Sequence, residues 1–307
     1  MIESPKIEPA FEKISVIGLG LIGGSIAAAI KQHGLASSVW AWDANAASLA
    51  LGYDLGVIDS IAADIHEATD QADLIILAVP VQSVEQVLRD IDLKDQMMTD
   101  VGSVKGITVE AAHRVFGKLP ESFIPGHPIA GSEKQGVVAA DPNLFREHKV
   151  ILTPDEASNP AAIERVEKLW QGLGADVVRM SVSHHDDVLA QTSHLPHLLA
   201  YALVDTLSAG GDSLEVFEYA AGGFRDFSRI AASDPIMWSD IFQTNKEPLV
   251  QVLDQYLEKL ETLKLLIESG EAGQIKELLS RAKLARDHFS NIQAIARSEN
   301  GPDEKND

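Results

Sequence analysis

KISVIGLGLIGGS, residues 13–25, is the stretch whose reading decides the fold. Lys13 to Ile17 close an apolar run that stops at Gly18 and reads as a buried strand. Gly18-x-Gly20-x-x-Gly23 follows at once, and Ile22 to Gln32 then carry small and aliphatic residues at helical spacing, ending at His33-Gly34. Strand, glycine turn and helix together are the context in which this pattern binds a dinucleotide. Gly18 permits the tight turn, Gly20 lets backbone approach a pyrophosphate, and Gly23 lets helix and strand pack closely. The N–H groups of Leu21, Ile22 and Gly23 open the helix and are available to phosphate oxygens. A glycine turn without a ligand is the plainer reading of the same residues, and the flanking strand and helix weigh against it.

Outward from the loop, strands and helices alternate. Ser38 to Asp43, Ala72 to Pro80, Met97 to Val101, Ser122 to Ile124 and Lys149 to Leu152 read as strands, with helical patterns at Val84–Leu88 and Ile107–Phe116. Such alternation predicts an α/β fold, a Rossmann-type doubly wound and mostly parallel sheet. After Val177-Val-Arg-Met180 the pattern changes, and from Ser183 to about Asn291 the apolar residues recur only at helical period. Ser183-His-His-Asp186 has the form of a capping box opening the first of these helices. Leu249–Ile267 and Gly273–Phe289 read as long amphipathic helices. The expected organisation is a dinucleotide domain over 1–181, an all-helical C-terminal substrate and dimerisation domain over 182–297, and a disordered acidic tail over 298–307.

Composition sets the bounds. The 307 residues suffice for two domains, and 45% hydrophobic with 23% charged content is that of a globular protein. With no cysteine, disulfides, thiolate metal sites and cysteine nucleophiles are excluded. MIESPKIEPAF has neither a basic nor an apolar signal region, and no apolar run approaches the roughly 18 residues of a membrane span, so a cytoplasmic enzyme is expected. A net charge of −21 repels phosphate backbones and argues against nucleic acid as partner. An anionic substrate would then require local positive charge. Apolar stripes that exceed one face of the helical region point to a homodimer formed through it.

Several residues carry candidate chemistry. Asp43 ends the second strand roughly 20 residues beyond the loop, where an acid accepts the ribose 2′-hydroxyl and repels a 2′-phosphate; NAD is expected. Capping of its own turn is the alternative role for Asp43. Ligands in open parallel sheets sit beyond the carboxyl ends of strands. Three segments fall there: Val79-Pro80-Val81, Asp100 to Lys105, and Pro125 to Gly131 within FIPGHPIAG. Ser103 and His127 face one crevice in this arrangement, and a histidine there can take a hydroxyl proton as hydride leaves the same carbon. His127 between Gly126 and Pro128 is also a plausible structural turn residue. In GGFRDFSR, Arg225 and Arg229 are four apart and suit a carboxylate clamp, or else a solvated face with Asp226 as counter-ion. The histidines at 184, 185, 194 and 197 have no well-placed third ligand once Pro196 distorts their spacing, so no metal is expected.

GLGLIGGS, DVGSVKG, GHPIAGSEKQG, SHLPH, GGFRDFSRIA and DPIMW, in this order between Ile14 and Phe289, resemble the prephenate/arogenate dehydrogenase family of tyrosine biosynthesis. The resemblance implies an oxidative decarboxylation in which NAD takes hydride from the hydroxyl-bearing ring carbon while the opposite carboxylate leaves as CO2. It makes His127 the group that deprotonates the ring hydroxyl, with Ser103 beside it. It gives Arg229 a substrate carboxylate, with His197 nearby, and places Glu133 near the substrate. Trp238 and Asp226 would reach the partner's site across a dimer, and the chain would be monofunctional. Two other readings stay open: a β-hydroxyacid or imine reductase of the same architecture, and a non-catalytic NAD-binding sensor. The absence of lysine from Val188–Leu203 counts against the first, and His127 with the arginine pair against the second.

Overall fold

The computed structural model describes residues 9–132, 134–209 and 218–299. Six strands form one all-parallel sheet: β1 Phe11–Ile17, β2 Ala36–Trp42, β3 Ser60–Ile61, β4 Leu74–Leu77, β5 Met97–Asp100 and β6 Phe123–Ile124, in the order β3-β2-β1-β4-β5-β6. This is the doubly wound order, with its switch point between β1 and β4. The helices α1 Leu21–His33, α2 Ala46–Asp54, α3 Ile65–Thr69, α4 Val84–Arg89 and α5 Lys105–Phe116 connect the strands. Every residue of β4 is buried, because helices cover both faces and a near-continuous apolar run is what such a strand needs. One core gathers Ile26, Ile30, Phe145 and Trp170, a second gathers Leu88, Met98 and Phe123, and a small third joins Val104, Trp238 and Ile241.

Past β6 the sheet does not continue as the alternation suggested. Pro125 offers no N–H to a ladder, and the chain turns into β7 Gly126–Pro128. That strand pairs antiparallel with β8 Lys149–Leu152, which pairs parallel with β9 Asp176–Arg179, making a separate three-stranded sheet. His127, expected in a loop, is therefore a strand residue opposite Ile151. Between β8 and β9 runs α6 Pro160–Gly172, capped by Asn159 and begun by proline, as helix starts favour.

The remaining described elements are helical. Ser181, not Ser183, caps α7 Val182–Leu189, its side chain accepting the His184 N–H. A π turn, Ala190–His194, links α7 to α8 Leu195–Ser208, where Pro196 cannot donate to the helical ladder. Then come α9 Gly222–Ser228, a 3₁₀ turn Arg229–Ala232, α10 Pro235–Thr244, α11 Lys246–Glu268 and α12 Ala272–Glu299. By packing the chain divides into two compact units, Met1–Leu249 and Val250–Asp307. The first contains both sheets and the helices up to α10; strands stop near Ser181, but the packing continues. Of the expected tail, residues 300–307 lie outside the described residues.

Candidate active site

At the switch point the end of β4 closes against the glycine loop. A Cβ on Gly18, whose φ is +97°, would lie 2.5 Å from the Ala78 carbonyl oxygen, and one on Gly23 would lie 2.0 Å from the Gly18 carbonyl oxygen. Both positions exclude a side chain. A Cβ on Gly20 would meet nothing within 4 Å, so that flank of the loop is open. Gly20 is also the N-cap of α1, with no capping side chain and no acid in the first turn. An uncapped helix start beside open space suits the pyrophosphate of a dinucleotide. Val79 and Pro80 follow Ala78 at the same mouth. Asp43 Oδ2 accepts the Leu19 N–H at 2.6 Å and Oδ1 the Asn45 N–H at 2.7 Å. Its carboxylate thus braces both loop and turn, and each oxygen keeps a further lone pair for a ribose hydroxyl.

Across the sheet, at the end of β5, His127 enters a buried polar chain. Its Nδ1 lies 2.9 Å from His185 Nε2, and His185 Nδ1 lies 2.7 Å from Asp186 Oδ1. Asp186 also accepts the N–H groups of Lys105 and Gly106 at 2.9 and 2.8 Å. Lys105, fully buried, pairs with Asp100 and donates to the Gly126 carbonyl at 2.7 Å. Asp100 in turn accepts the N–H groups of Gly102 and Gly126 at 2.9 and 3.2 Å. Burial first, and then the cost of protonating a ring that shares its site with His185, Lys105 and His194, push the pKa of His127 well below the ordinary histidine value, so the ring is neutral at pH 7. Burial also lowers His185. For Asp186 burial acts upward but is outweighed by the hydrogen bonds from His185, Lys105 and Gly106, leaving the carboxyl below its usual range.

The helical side supplies a second cluster. Asn245 Nδ2 donates to the Asp186 carbonyl at 2.9 Å and lies 3.0 Å from His194 Nδ1. Burial lowers His194 to about 4. His197 Nδ1 donates to the Ser193 carbonyl at 2.8 Å, and its ring stacks on Trp238 with centroids 3.6 Å apart. Burial lowers His197, its bond to Ser193 acts upward, and the positive charge of Arg229 lowers it further. Gln82 and Gln135 reach Asp240 and Asp234 at 2.9 and 3.0 Å.

The structure therefore groups His127 with His185 and Asp186, and His197 with Trp238, within electrostatic reach of Arg229. Ser103 is half-buried in the turn before Lys105, and Arg225 is exposed on α9. Glu133 lies outside the described residues. Sequence reading placed Asp100 and Lys105 only as the ends of a candidate loop, gave Asn245 no role, and took Asp186 for a residue of a local capping box. Only the polar pair Asp100 and Lys105, flanking an apolar strand end, gave a signal. Among the described residues no cluster of three or more His, Asp or Glu side chains is arranged to hold a metal ion, and no helix is long and apolar enough to cross a membrane.

Residues 26–179 match the prephenate dehydrogenase nucleotide-binding domain, and residues 181–281 the prephenate dehydrogenase dimerization domain. The chain is 37% identical to cyclohexadienyl dehydrogenase of Zymomonas mobilis, over 90% of this chain and 95% of that one. It is 35% identical to prephenate dehydrogenase of Bacillus subtilis, over 90% and 76%. The crystal structure of prephenate dehydrogenase from Aquifex aeolicus with hydroxyphenyl propionate and NAD+ superposes with a TM-score of 0.84 at 36% identity, covering 91% of this chain and 98% of that one.

Proposed function

The chain belongs to the prephenate dehydrogenase family, and from that membership we infer its reaction: oxidative decarboxylation of prephenate to 4-hydroxyphenylpyruvate and CO2, with reduction of NAD to NADH. NAD, held by Gly18, Gly20, Leu21, Ile22, Gly23, Asp43, Val79 and Pro80, supplies the hydride acceptor. His127 takes the proton of the ring hydroxyl as the hydride departs from the same carbon. The bond to the ring carboxylate breaks, its electron pair enters the ring, the oxygen takes the proton back from His127 to give the phenol, and aromatisation drives the step. Ser103 orients the hydroxyl. Arg229, with His197 beside it, binds a substrate carboxylate, and Arg225 adds positive charge from α9. Local arginines thus hold an anion on a chain whose net charge is −21.

One observation carries this reading. A neutral, buried histidine, 9% exposed, lies on β7 next to Gly126, which bonds Asp100 at the carboxyl end of β5, the same edge of the parallel sheet at which β1 runs into the glycine loop. The test is turnover of prephenate by His127→Asn in protein shown to be folded. A general base contributes on the order of 10²–10⁴ in rate, so turnover should fall by that factor, and unchanged turnover would remove His127 from the role.

The functional unit is a homodimer. Support comes from the dimerization-domain match over residues 181–281 and from Leu257, Leu260, Leu265, Leu279 and Leu284, all exposed on α11 and α12. Light scattering should return twice the chain mass, 33.1 kDa.

A further inference from the structure

We propose that His185, anchored by Asp186, is a positioning residue that holds His127 in the tautomer with a bare Nε2, and so selects the nitrogen that receives the substrate proton. The inference rests on the reaction assigned above. It follows from donor and acceptor counting along a chain with one direction.

Asp186 is an ionised carboxylate and can only accept. Its Oδ1 lies 2.7 Å from His185 Nδ1, so that nitrogen carries a proton. His185 is neutral, because burial disfavours its charged form and the Lys105 ammonium opposes a second positive charge. Its Nε2 is therefore a lone pair. That lone pair faces His127 Nδ1 at 2.9 Å, and the contact holds only if His127 donates. A neutral His127 with its proton on Nδ1 has a bare Nε2. The reverse tautomer would set two lone pairs 2.9 Å apart. The alternative of a doubly protonated His185 would add a cation to a buried cluster that already holds Lys105.

The charged and titratable groups facing His127 are His185 and Asp186 on α7, His194 on the π turn, Lys105 at the start of α5 and Asp100 at the end of β5. Lys105 and Asp100 are paired with each other. Among the described residues, the negative charge in line with the imidazole chain is that of Asp186. When the substrate O–H bond breaks, the proton forms an N–H bond at His127 Nε2, and the C–H electron pair leaves as hydride. No proton need cross to His185: the His127 Nδ1–H stays in place, and the carboxylate at the far end of the chain offsets the imidazolium. The same logic orients the histidine of a Ser-His-Asp triad through an acid behind it.

Long-range proton–nitrogen correlation spectra of the intact protein read the tautomer directly. His127 should show a protonated Nδ1 and a bare Nε2 near pH 7; a protonated Nε2 overturns the proposal, whatever the activity. Two variants test the consequence. His185→Gln keeps an oxygen that can accept from His127 Nδ1 and should retain kcat within about tenfold, whereas His185→Leu should lose on the order of 10²-fold, within the range of a general base. Asp186→Asn should move the acid limb of the kcat/KM profile to lower pH, because a negative charge behind the base is gone. A His185→Leu enzyme with wild-type kcat and acid limb would sink the idea. Should that variant fail to fold, the tautomer and His185→Gln decide. Prephenate turnover by the wild-type protein tests the reaction itself, so failure of that reading is separable from failure of this one.

Discussion

Asp186 caps a helix to which it does not belong: its Oδ1 and Oδ2 accept the N–H groups of Lys105 and Gly106, the first two residues of α5, at 2.9 and 2.8 Å. The local N-cap of α5 is Val104, which has no side-chain oxygen to offer. A carboxylate 81 residues on supplies the cap from α7, and the same oxygen that binds Lys105 orients His185. Helix start, sheet end and imidazole chain are thereby fixed to one side chain.

Asp186→Ala should lower stability by about 1–3 kcal/mol, the range for a lost cap and buried donors left without an acceptor. The native carboxyl lies below its value of 3.8 in the unfolded chain. Its contribution is thus present above that value and disappears as pH falls through the lower native one. Urea titrations at pH 7 and pH 3 should show the difference between wild type and variant shrinking in acid. A constant difference would contradict the assigned ionisation.

Acid should weaken the protein at milder pH through His194. Folded, it titrates at about 4, against 6.5 for the free side chain. Between those values the unfolded chain binds more protons, so stability is complete above about pH 6.5 and declines as pH falls toward 4. The difference corresponds to on the order of 3 kcal/mol. Melting temperatures from pH 7.5 to 4.5 should fall for wild type and fall less for His194→Gln. Parallel curves would show that His194 is not the buried neutral group described.

Three glycines in one loop should respond differently to alanine. At Gly18 and Gly23 a Cβ meets backbone oxygen at 2.5 and 2.0 Å, so both variants should lose stability and NAD binding together. At Gly20 nothing lies within 4 Å, so the ligand-free protein should melt as wild type does. Its NAD Kd should nevertheless rise about tenfold or more, since the methyl would occupy space meant for the pyrophosphate. Calorimetric titration with paired melting curves separates the two cases, and a Gly20→Ala protein with unaltered Kd would place the phosphates elsewhere.

The glycine loop and the parallel sheet were legible because their signals are local: residues 13–25 carry strand, turn and helix in one window. His127 and the SHLPH and FRDFSR segments were legible as types of chemistry. What escaped was set by distance along the chain. Nothing around Ser183 reveals that Ser181 caps α7 while Asp186 turns toward Lys105, since Ser-x-x-acid fits the local box equally well. The second sheet was hidden for a related reason. Gly126–Pro128 is three residues long and flanked by proline, so only its register against β8 makes it a strand.

Arg229→Ala should act mainly on binding. It stands close enough to depress the proton affinity of His197, and a lost charge-assisted hydrogen bond is worth about 1.5–3 kcal/mol. KM for prephenate should rise by the corresponding factor, roughly 10–150, with kcat changing less. An unaltered KM would move the carboxylate contact to another cation.

Lys105 tests how the His127 strand is held. Its ammonium joins Asp100 on β5 to the carbonyl of Gly126, the residue before His127, in a site closed to solvent. Lys105→Met leaves the Asp100 carboxylate buried with only hydroxyl and backbone N–H partners, and breaking such a pair costs about 3–5 kcal/mol. Adding Asp100→Asn removes the stranded charge and keeps one acceptor oxygen, for the N–H of Gly102 or of Gly126 but not both. The double variant should therefore be more stable than Lys105→Met alone, although two ionised groups are gone. Its kcat should still be reduced, because the Gly126 carbonyl has lost its anchor and His127 follows it. Denaturant titrations of the three proteins give the order; a single variant as stable as wild type would show that the pair is not what fixes the strand.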